Sequence, residues 1–195
     1  MIVTTIGSTD TSSYPEPAQS VARMFYDRVA TTPHGEAFRF PAGTGWASVT
    51  WAQTMETVKT LAAGLLALGI QPEQRVAIAS NTRIEWLYAD LAVMCSGAAT
   101  TAVYPTTTVD DVAFILFDSD ARIVFAEDDA QIAKLRAQRE HLPDLVRVIT
   151  FDGKTDGDWV LGMADLEALG AQYLAARPSA VDDAWRPCGP TTWPP

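Results

Sequence analysis

Apolar residues recur along the chain with helical and strand spacings in alternation. Val21, Phe25 and Val29 recur every fourth residue, which predicts a helix that begins near residue 20. Aromatic and β-branched residues in 37–40 and 46–50 flank a turn rich in proline and glycine, and this pattern predicts a β-hairpin.

The strongest helical pattern follows Thr50. Thr50 and Gln53 have the spacing of a capping box, and Gly69 is typical of a helix end. Between them lies an apolar stripe of Met55, Val58, Ala62, Leu65 and Leu66. This segment therefore predicts a long helix with one buried face.

From residue 76 onward, short apolar runs alternate with helical ones. The predicted strands are 76–79, 102–104, 123–126 and 146–151, and the predicted helices are 84–95, 109–117, 129–140 and 163–169. Strands that are buried on both faces and separated by helices are typical of parallel sheets. The expected fold class is α/β, a layered parallel sheet with flanking helices.

Composition restricts the classes of function. The chain has 195 residues, of which 48% are hydrophobic, and its net charge of -10 argues against nucleic-acid partners. Its longest apolar run is about half of the roughly 20 residues that a membrane-spanning helix requires. Residues 1–19 have no targeting pattern and are expected to form a disordered leader. Cys95 and Cys188 lie far apart, so we expect a cytoplasmic protein without a disulfide framework.

Few residues indicate chemistry on their own. Gly43 and Gly45 lack the third glycine of a nucleotide fingerprint and are better explained as a hairpin turn. His34 and His141 have no nucleophilic partner at a suitable spacing and are expected at the surface. Cys95 lies on an apolar helical segment and is expected to be a buried thiol. Strand propensity and helix capping account for the threonine-rich stretch 100–108. Most of the clustered acidic residues lie at predicted helix ends, where the helix dipole accounts for them.

One continuous block carries more information. It contains Ser80-Asn-Thr-Arg-Ile-Glu-Trp86, Asp90-Leu-Ala92, Gly97-Ala98 and Val103-Tyr-Pro-Thr106, followed by 115–118 and 124–127. In order and spacing this block resembles the N-terminal region of long-chain acyl-CoA synthetases, which belong to the AMP-forming adenylating enzymes. The resemblance extends over 20–183 and implies an incomplete N-terminal part of the AMP-binding domain.

The resemblance implies a reaction as well as a fold. Members of that family activate a fatty acid with Mg-ATP to an acyl-adenylate and then transfer the acyl group to coenzyme A. Their phosphate loop and C-terminal lid have no counterpart in this sequence, so we expect no catalytic residue, metal or cofactor site in it. The matching signature residues are Asn81, Arg83, Glu85, Trp86 and Tyr104, which we interpret as mainly structural; Tyr104 is also a candidate for the neighbourhood of the acyl-chain tunnel.

The last residues, 184–195, differ from the family pattern. They are rich in proline and tryptophan, and translation one frame back from the third base of the Ala184 codon, if the codons are G/C-rich, gives Val-Ala-Ala-Val-Arg-Pro-Asp-Asp-Leu-Ala-Thr. That sequence resembles the family's approach to its phosphate loop, so our hypothesis is a frameshifted, truncated ligase that is inactive alone.

The alternative is a free-standing α/β module for acyl-chain binding or dimerisation. For the truncated ligase, strands 76–79 and 146–151 are expected to lack part of their cover, which would favour self-association.

Overall fold

The fold is the expected α/β arrangement. A computed structural model describes residues 18–186. In chain order the elements are α1 (Val21–Thr31), β1 (Glu36–Ala42), β2 (Gly45–Thr50), α2 (Trp51–Ala67), β3 (Arg75–Ala79), α3 (Ile84–Cys95), β4 (Ala99–Val103), α4 (Val109–Asp118), β5 (Ala121–Ala126), α5 (Asp129–Ala137), a 3-10 turn (Arg139–His141), β6 (Arg147–Thr150), β7 (Val160–Gly162), α6 (Met163–Ala176) and α7 (Ala180–Ala184).

The centre of the fold is a five-stranded parallel sheet with the strand order β4-β3-β5-β6-β7. Side chains alternate between its two faces. Val76 and Ile78 point into the core formed with α1, α2, α3, α6 and α7. Ala77 and Ala79 belong to a second core that includes residues of α4 and α5. The sheet is therefore covered by helices on both faces.

The helix α2 is the centre of the first core. Its capping box is present, with Thr50 Oγ1 accepting from the Gln53 amide at 3.2 Å and Gln53 Oε1 accepting from the Thr50 amide at 2.9 Å. The backbones of α2 and α6 approach closely, because a Cβ added at Gly170 would lie 1.9 Å from the Thr60 carbonyl oxygen. The two helices pack directly against each other at glycine positions.

The hairpin β1–β2 forms a separate two-stranded antiparallel sheet, as expected from the sequence. Phe38 contacts Trp51 at the start of α2, with ring centroids 5.7 Å apart. Trp46 is exposed. An isolated hairpin is marginal in water, so this aromatic contact with α2 supports it.

The short helix α7 is anchored to α1 and α2. Tyr26 Oη donates to Asp182 at 2.9 Å, Lys59 Nζ donates to the same carboxylate at 3.1 Å, and the ring of Trp185 packs on Tyr26 at 4.6 Å. Most of the expected leader 1–19 and of the unusual tail 184–195 lies outside the described residues.

Several predicted boundaries differ from the structure. The strand β4 begins at Ala99, three residues before the predicted start, and α6 is 14 residues long where about two turns were predicted. The strand β7 and the helix α7 were not predicted, because elements of three and five residues give little periodicity. Within 18–186, no helix combines the length and apolarity needed to cross a membrane.

The expectation of poorly covered strands is wrong. Val76, Ala77 and Ile78 are fully buried, and so are Val148 and Ile149. The reason is that α2 and α6 cover one face of these strands while α4 and α5 cover the other. Any self-association would have to use other surfaces than these.

The turn before β7 is held by one carboxylate, which gives a pH-dependent prediction. Asp156 Oδ1 accepts from the Val160 amide at 2.8 Å and the Asp158 amide at 3.0 Å, and Arg136 donates to Oδ2 at 2.7 Å. The bond from Val160 is the main cause that lowers the pKa of Asp156 from 3.8 to about 2.

Because the folded pKa lies below the unfolded value, Asp156 contributes stability above about pH 4 that is lost as the pH falls towards 2. We expect Asp156→Asn to lower the free energy of unfolding at pH 6, and the difference from the unsubstituted chain to shrink below pH 4. Urea unfolding at a series of pH values measures this, with Asp158→Asn as the control in the same turn. A difference that stays constant from pH 6 to pH 3 would contradict it.

Candidate functional site

The carboxyl edge of the sheet is the place where this fold offers a site. The chain leaves β3 towards β4 on one side, whereas β5 lies on the other side of β3. In open parallel sheets, ligands bind at such a switch point, outside the carboxyl ends of the strands. Ser80 and Asn81 follow β3, Glu127 follows β5, and Asp152 lies just after β6. These residues meet at this edge.

Glu127 fills the crevice between β3 and β5. Its Oε2 accepts from the Asn81 amide at 2.7 Å, from Asn81 Nδ2 at 2.9 Å and from Ser80 Oγ at 3.3 Å. Its own amide donates to the Ala79 carbonyl at 3.0 Å, continuing the sheet's hydrogen bonding by one residue. The crevice is therefore closed by a side chain of the protein itself.

Arg83 is the centre of an ionic network around this crevice. Its Nε donates to Glu85 Oε2 at 2.6 Å, its Nη1 donates to Asp152, and Nη1 also lies 3.9 Å from Glu127 Oε1. The guanidinium lies over the ring of Phe151, 5.7 Å from its centroid. Arg83 thus links the N-terminus of α3 to the residues that follow β5 and β6.

The network is negatively charged. Three carboxylates around one guanidinium leave a formal charge of −2. The hydrogen bonds to Glu85 and Asp152 raise the pKa of Arg83 above its usual value. Burial acts to raise the pKa of Glu85, but the bonds from Arg83 and from the Glu85 backbone outweigh it, so this pKa is lowered. Arg83 and Glu85 therefore stabilise each other in their charged forms.

The other two signature residues lie outside this network. Trp86 is half-buried and packs against the first core. Tyr104 follows β4 and its side chain is 79% exposed. Lys134 of α5 holds the loop after Tyr104, because its Nζ donates to the carbonyl oxygens of Pro105 at 2.6 Å and Thr107 at 2.8 Å.

The acidic clusters of the sequence have local partners. Asp128 caps α5, with Oδ1 accepting from the amides of Ala130 and Gln131 at 3.0 Å. Asp110 accepts from Gln138 at 2.9 Å. In the part of the chain that the structure describes, no group of three or more His, Cys, Asp or Glu side chains is placed to hold a metal ion.

The single cysteine in the described residues and the two histidines are placed as expected. Cys95 is fully buried and unpaired by a disulfide. Burial, with a smaller contribution from the charge of Asp182, raises the pKa of its thiol to about 12, which disfavours the reactive thiolate. His34 and His141 are exposed.

Sequence reasoning missed the partners of Arg83. Glu127 and Asp152 were not selected as site residues, although both directly follow predicted strands. The rule that parallel strands end at one edge of the sheet would have placed them beside Asn81. Lys134 gives no such signal, because its role depends on the path of the loop after β4.

Comparison with known proteins identifies the family. A family model described as AMP-binding enzyme matches residues 25–185. The chain belongs to the AMP-binding enzyme family. It is 31% identical over 134 residues to the long-chain-fatty-acid–CoA ligase FadD15 of Mycobacterium bovis, and 32% identical over 109 residues to the long-chain-fatty-acid–CoA ligase heimdall of Drosophila melanogaster.

These matches cover only part of the relatives. The first covers 69% of this chain and 22% of FadD15, and the second covers 56% of this chain and 16% of heimdall. Among solved structures, the acetoacetyl-CoA synthetase of Streptomyces lividans is similar over 76% of this chain and 25% of its own, with a TM-score of 0.68 and 25% identity. An anthranilate CoA ligase has the same TM-score at 17% identity. The fold is thus the N-terminal part of that of AMP-forming ligases.

Proposed function

We propose that this chain supplies the N-terminal part of the adenylate-forming domain of a long-chain fatty-acid–CoA ligase. The family reaction converts ATP, a fatty acid and coenzyme A to acyl-CoA, AMP and diphosphate. The observation that carries the proposal is the family match over residues 25–185, together with relatives of about a third identity whose names specify that activity. The segment matched in FadD15 is 22% of that protein.

The carboxyl edge of the sheet does not fit ATP. Glu127 occupies the crevice where this type of sheet would receive a phosphate, and the surrounding network is negative. A triphosphate would be repelled there by the carboxylates of Glu85, Glu127 and Asp152. We therefore assign a scaffold role to these residues: Arg83 and Glu127 hold the ends of β3, β5 and β6 in fixed relative positions.

It follows that residues 1–195 alone should neither bind Mg-ATP nor form an acyl-adenylate. Calorimetric titration of the purified chain with Mg-ATP is expected to show no saturable heat at micromolar ligand. The matched control is the variant Glu127→Gln, which keeps the size of the side chain and one hydrogen-bond acceptor but removes the negative charge from the crevice. Saturable binding by the unsubstituted chain would overturn the scaffold role.

A second candidate function is a free-standing acyl-chain-binding module. The observation that favours it is an apolar groove of about 520 Å³ beside α1, lined by Val21, Met24, Phe25, Phe38, Trp51 and Leu91, with Arg28 at its side. Arg28 lies over Trp51, 6.0 Å from the ring centroid. This guanidinium could pair with a fatty carboxylate while the chain occupies the groove.

Titration with oleate discriminates the two functions. The module predicts saturable oleate binding that Arg28→Gln weakens, with Arg177→Gln, distant in sequence and near α7, as the control. The scaffold role predicts no saturable binding by the isolated chain.

A cytoplasmic location is also proposed, on the basis of the free thiol at Cys95 and the wide spacing of the two cysteines.

A further inference from the structure

The outer face of α4 presents an apolar stripe that no other part of the described chain covers. Ala113, Phe114 and Phe117 lie on one side of this helix, whereas Val112 and Leu116 are buried on the other. The residues Phe114 and Phe117 are 67% and 64% exposed. Two neighbouring phenylalanines so exposed are unusual for a surface that contacts only water, and they indicate an interaction site.

The stripe is one wall of a groove of about 620 Å³, which we call the α4 groove. Its other wall consists of Gln138, Glu140, His141 and Pro143. Gln138 Nε2 donates to Asp110 at 2.9 Å, so its Oε1 is the acceptor for His141 Nδ1–H at 2.8 Å. This chain of hydrogen bonds joins the two walls. The groove is therefore formed before anything binds in it, which lowers the entropic cost of binding.

The rim of the α4 groove is acidic. Asp110 lines the groove. Asp111 and Asp118 are exposed on the same helix and Asp120 lies directly after it, and residues 109–121 contain no lysine or arginine. Glu140 adds a carboxylate on the opposite wall.

The basic side chains of α5 and the turn after it are engaged elsewhere. Lys134 binds the carbonyl oxygens of the loop after β4, and Arg136 pairs with Asp156 at 2.7 Å. Arg139 lies over Trp159, 4.5 Å from the ring centroid. The α4 groove thus combines an apolar wall with carboxylates that Lys134, Arg136 and Arg139 do not neutralise.

We propose that the α4 groove docks a basic amphipathic helix of a partner protein. Apolar residues at helical spacing would contact Phe114 and Phe117, and flanking lysines or arginines would face the acidic rim. A second copy of this chain is a poorer occupant, because each copy carries a net charge of -10 and the two acidic rims would face each other. The proposal is independent of the ligase function.

The test uses the 195-residue chain and two fluorescein-labelled synthetic peptides. Both peptides are helical and carry leucines at positions i, i+3, i+4 and i+7; one has lysines on the flanking positions and the other has glutamates. Fluorescence anisotropy is expected to show saturable binding of the lysine peptide, at least about tenfold tighter than the glutamate peptide, and weaker as salt screens the rim.

Three variants locate the site. Phe114→Ser with Phe117→Ser should weaken binding of the lysine peptide about tenfold or more, because these rings are the apolar anchors. Asp118→Lys with Glu140→Lys should reverse the preference between the peptides. Trp46→Ser, at an exposed aromatic side chain of the hairpin β1–β2, is the matched control and should leave the affinity for the lysine peptide unchanged. All five positions are exposed, and thermal melts verify that each variant is folded.

The proposal is overturned by absence of saturable binding of the lysine peptide, by equal affinity for both peptides, or by unchanged binding in the phenylalanine variant. Light scattering adds one further outcome. If the chain forms a dimer that the phenylalanine variant abolishes, the occupant is a second copy and the basic partner is excluded.

Discussion

Gly170→Ala is expected to destabilise the chain by about 3 kcal/mol, at the upper end of overpacking effects. A Cβ at this position would lie 1.9 Å from the Thr60 carbonyl oxygen and 2.9 Å from the Gly64 amide nitrogen, so two helix backbones would have to separate. For a chain of this size such a loss corresponds to a fall of roughly 6–12 °C in the unfolding midpoint. Thermal unfolding followed by circular dichroism measures it.

The matched control is Gly45→Ala. No atom lies within 4 Å of a Cβ added there, and the backbone conformation of Gly45 is open to other residues. Its free energy of unfolding is expected to stay within about 0.5 kcal/mol of that of the unsubstituted chain, as for most surface changes. Equal unfolding midpoints for Gly170→Ala and Gly45→Ala would show that α2 and α6 do not pack as closely as described.

Glu127→Ala is the second substitution with a large expected effect, a loss of about 2–3 kcal/mol. The side chain of Glu127 is only 18% exposed, and its removal leaves the Asn81 amide without its acceptor. It also removes one of the carboxylates near Arg83. Urea unfolding gives the loss in free energy, and hydrogen exchange at the Asn81 amide should become faster.

Two further variants separate the crevice from the surface. Glu127→Gln keeps an acceptor for the Asn81 amide, so its loss should be smaller than that of the alanine variant. Asp152→Ala removes a carboxylate whose side chain is 60% exposed, and such exposed pairs contribute at most about 1 kcal/mol. A larger loss for Asp152→Ala than for Glu127→Ala would show that the network is not centred on the crevice.

The helices and strands were predictable where a local signal was strong. The helix α3 begins and ends at the predicted residues, because its mostly apolar segment is bounded by turns at both ends. The capping box at Thr50 fixed the start of α2. By contrast, β4 begins before its predicted start because Ala99, Thr100 and Thr101 pair with Arg75, Val76 and Ala77, and that pairing is a tertiary contact.

The candidate site was predictable only in part. The signature residues after β3 were selected by resemblance to the family, and Asn81, Arg83 and Glu85 do lie together. Their partners Glu127 and Asp152 are 46 and 69 residues away from Asn81 and Arg83, respectively. Only the order of strands in the sheet brings them close. The contacts at this edge therefore depend on the order of strands in the sheet, which hydrophobic periodicity in the sequence does not reveal.

We propose that residues 25–185 are a scaffold of an adenylate-forming ligase and do not carry out the ATP chemistry themselves. The most direct test is fatty-acid-dependent diphosphate release by a chimera in which residues 25–185 replace the corresponding segment of the Mycobacterium bovis ligase, measured beside the 195-residue chain alone. We expect diphosphate release by the chimera, its loss when the chimera also carries Gly170→Ala, and none from the isolated chain. Release by the isolated chain, or a chimera that folds cooperatively but releases none, would show that the proposed scaffold role is wrong.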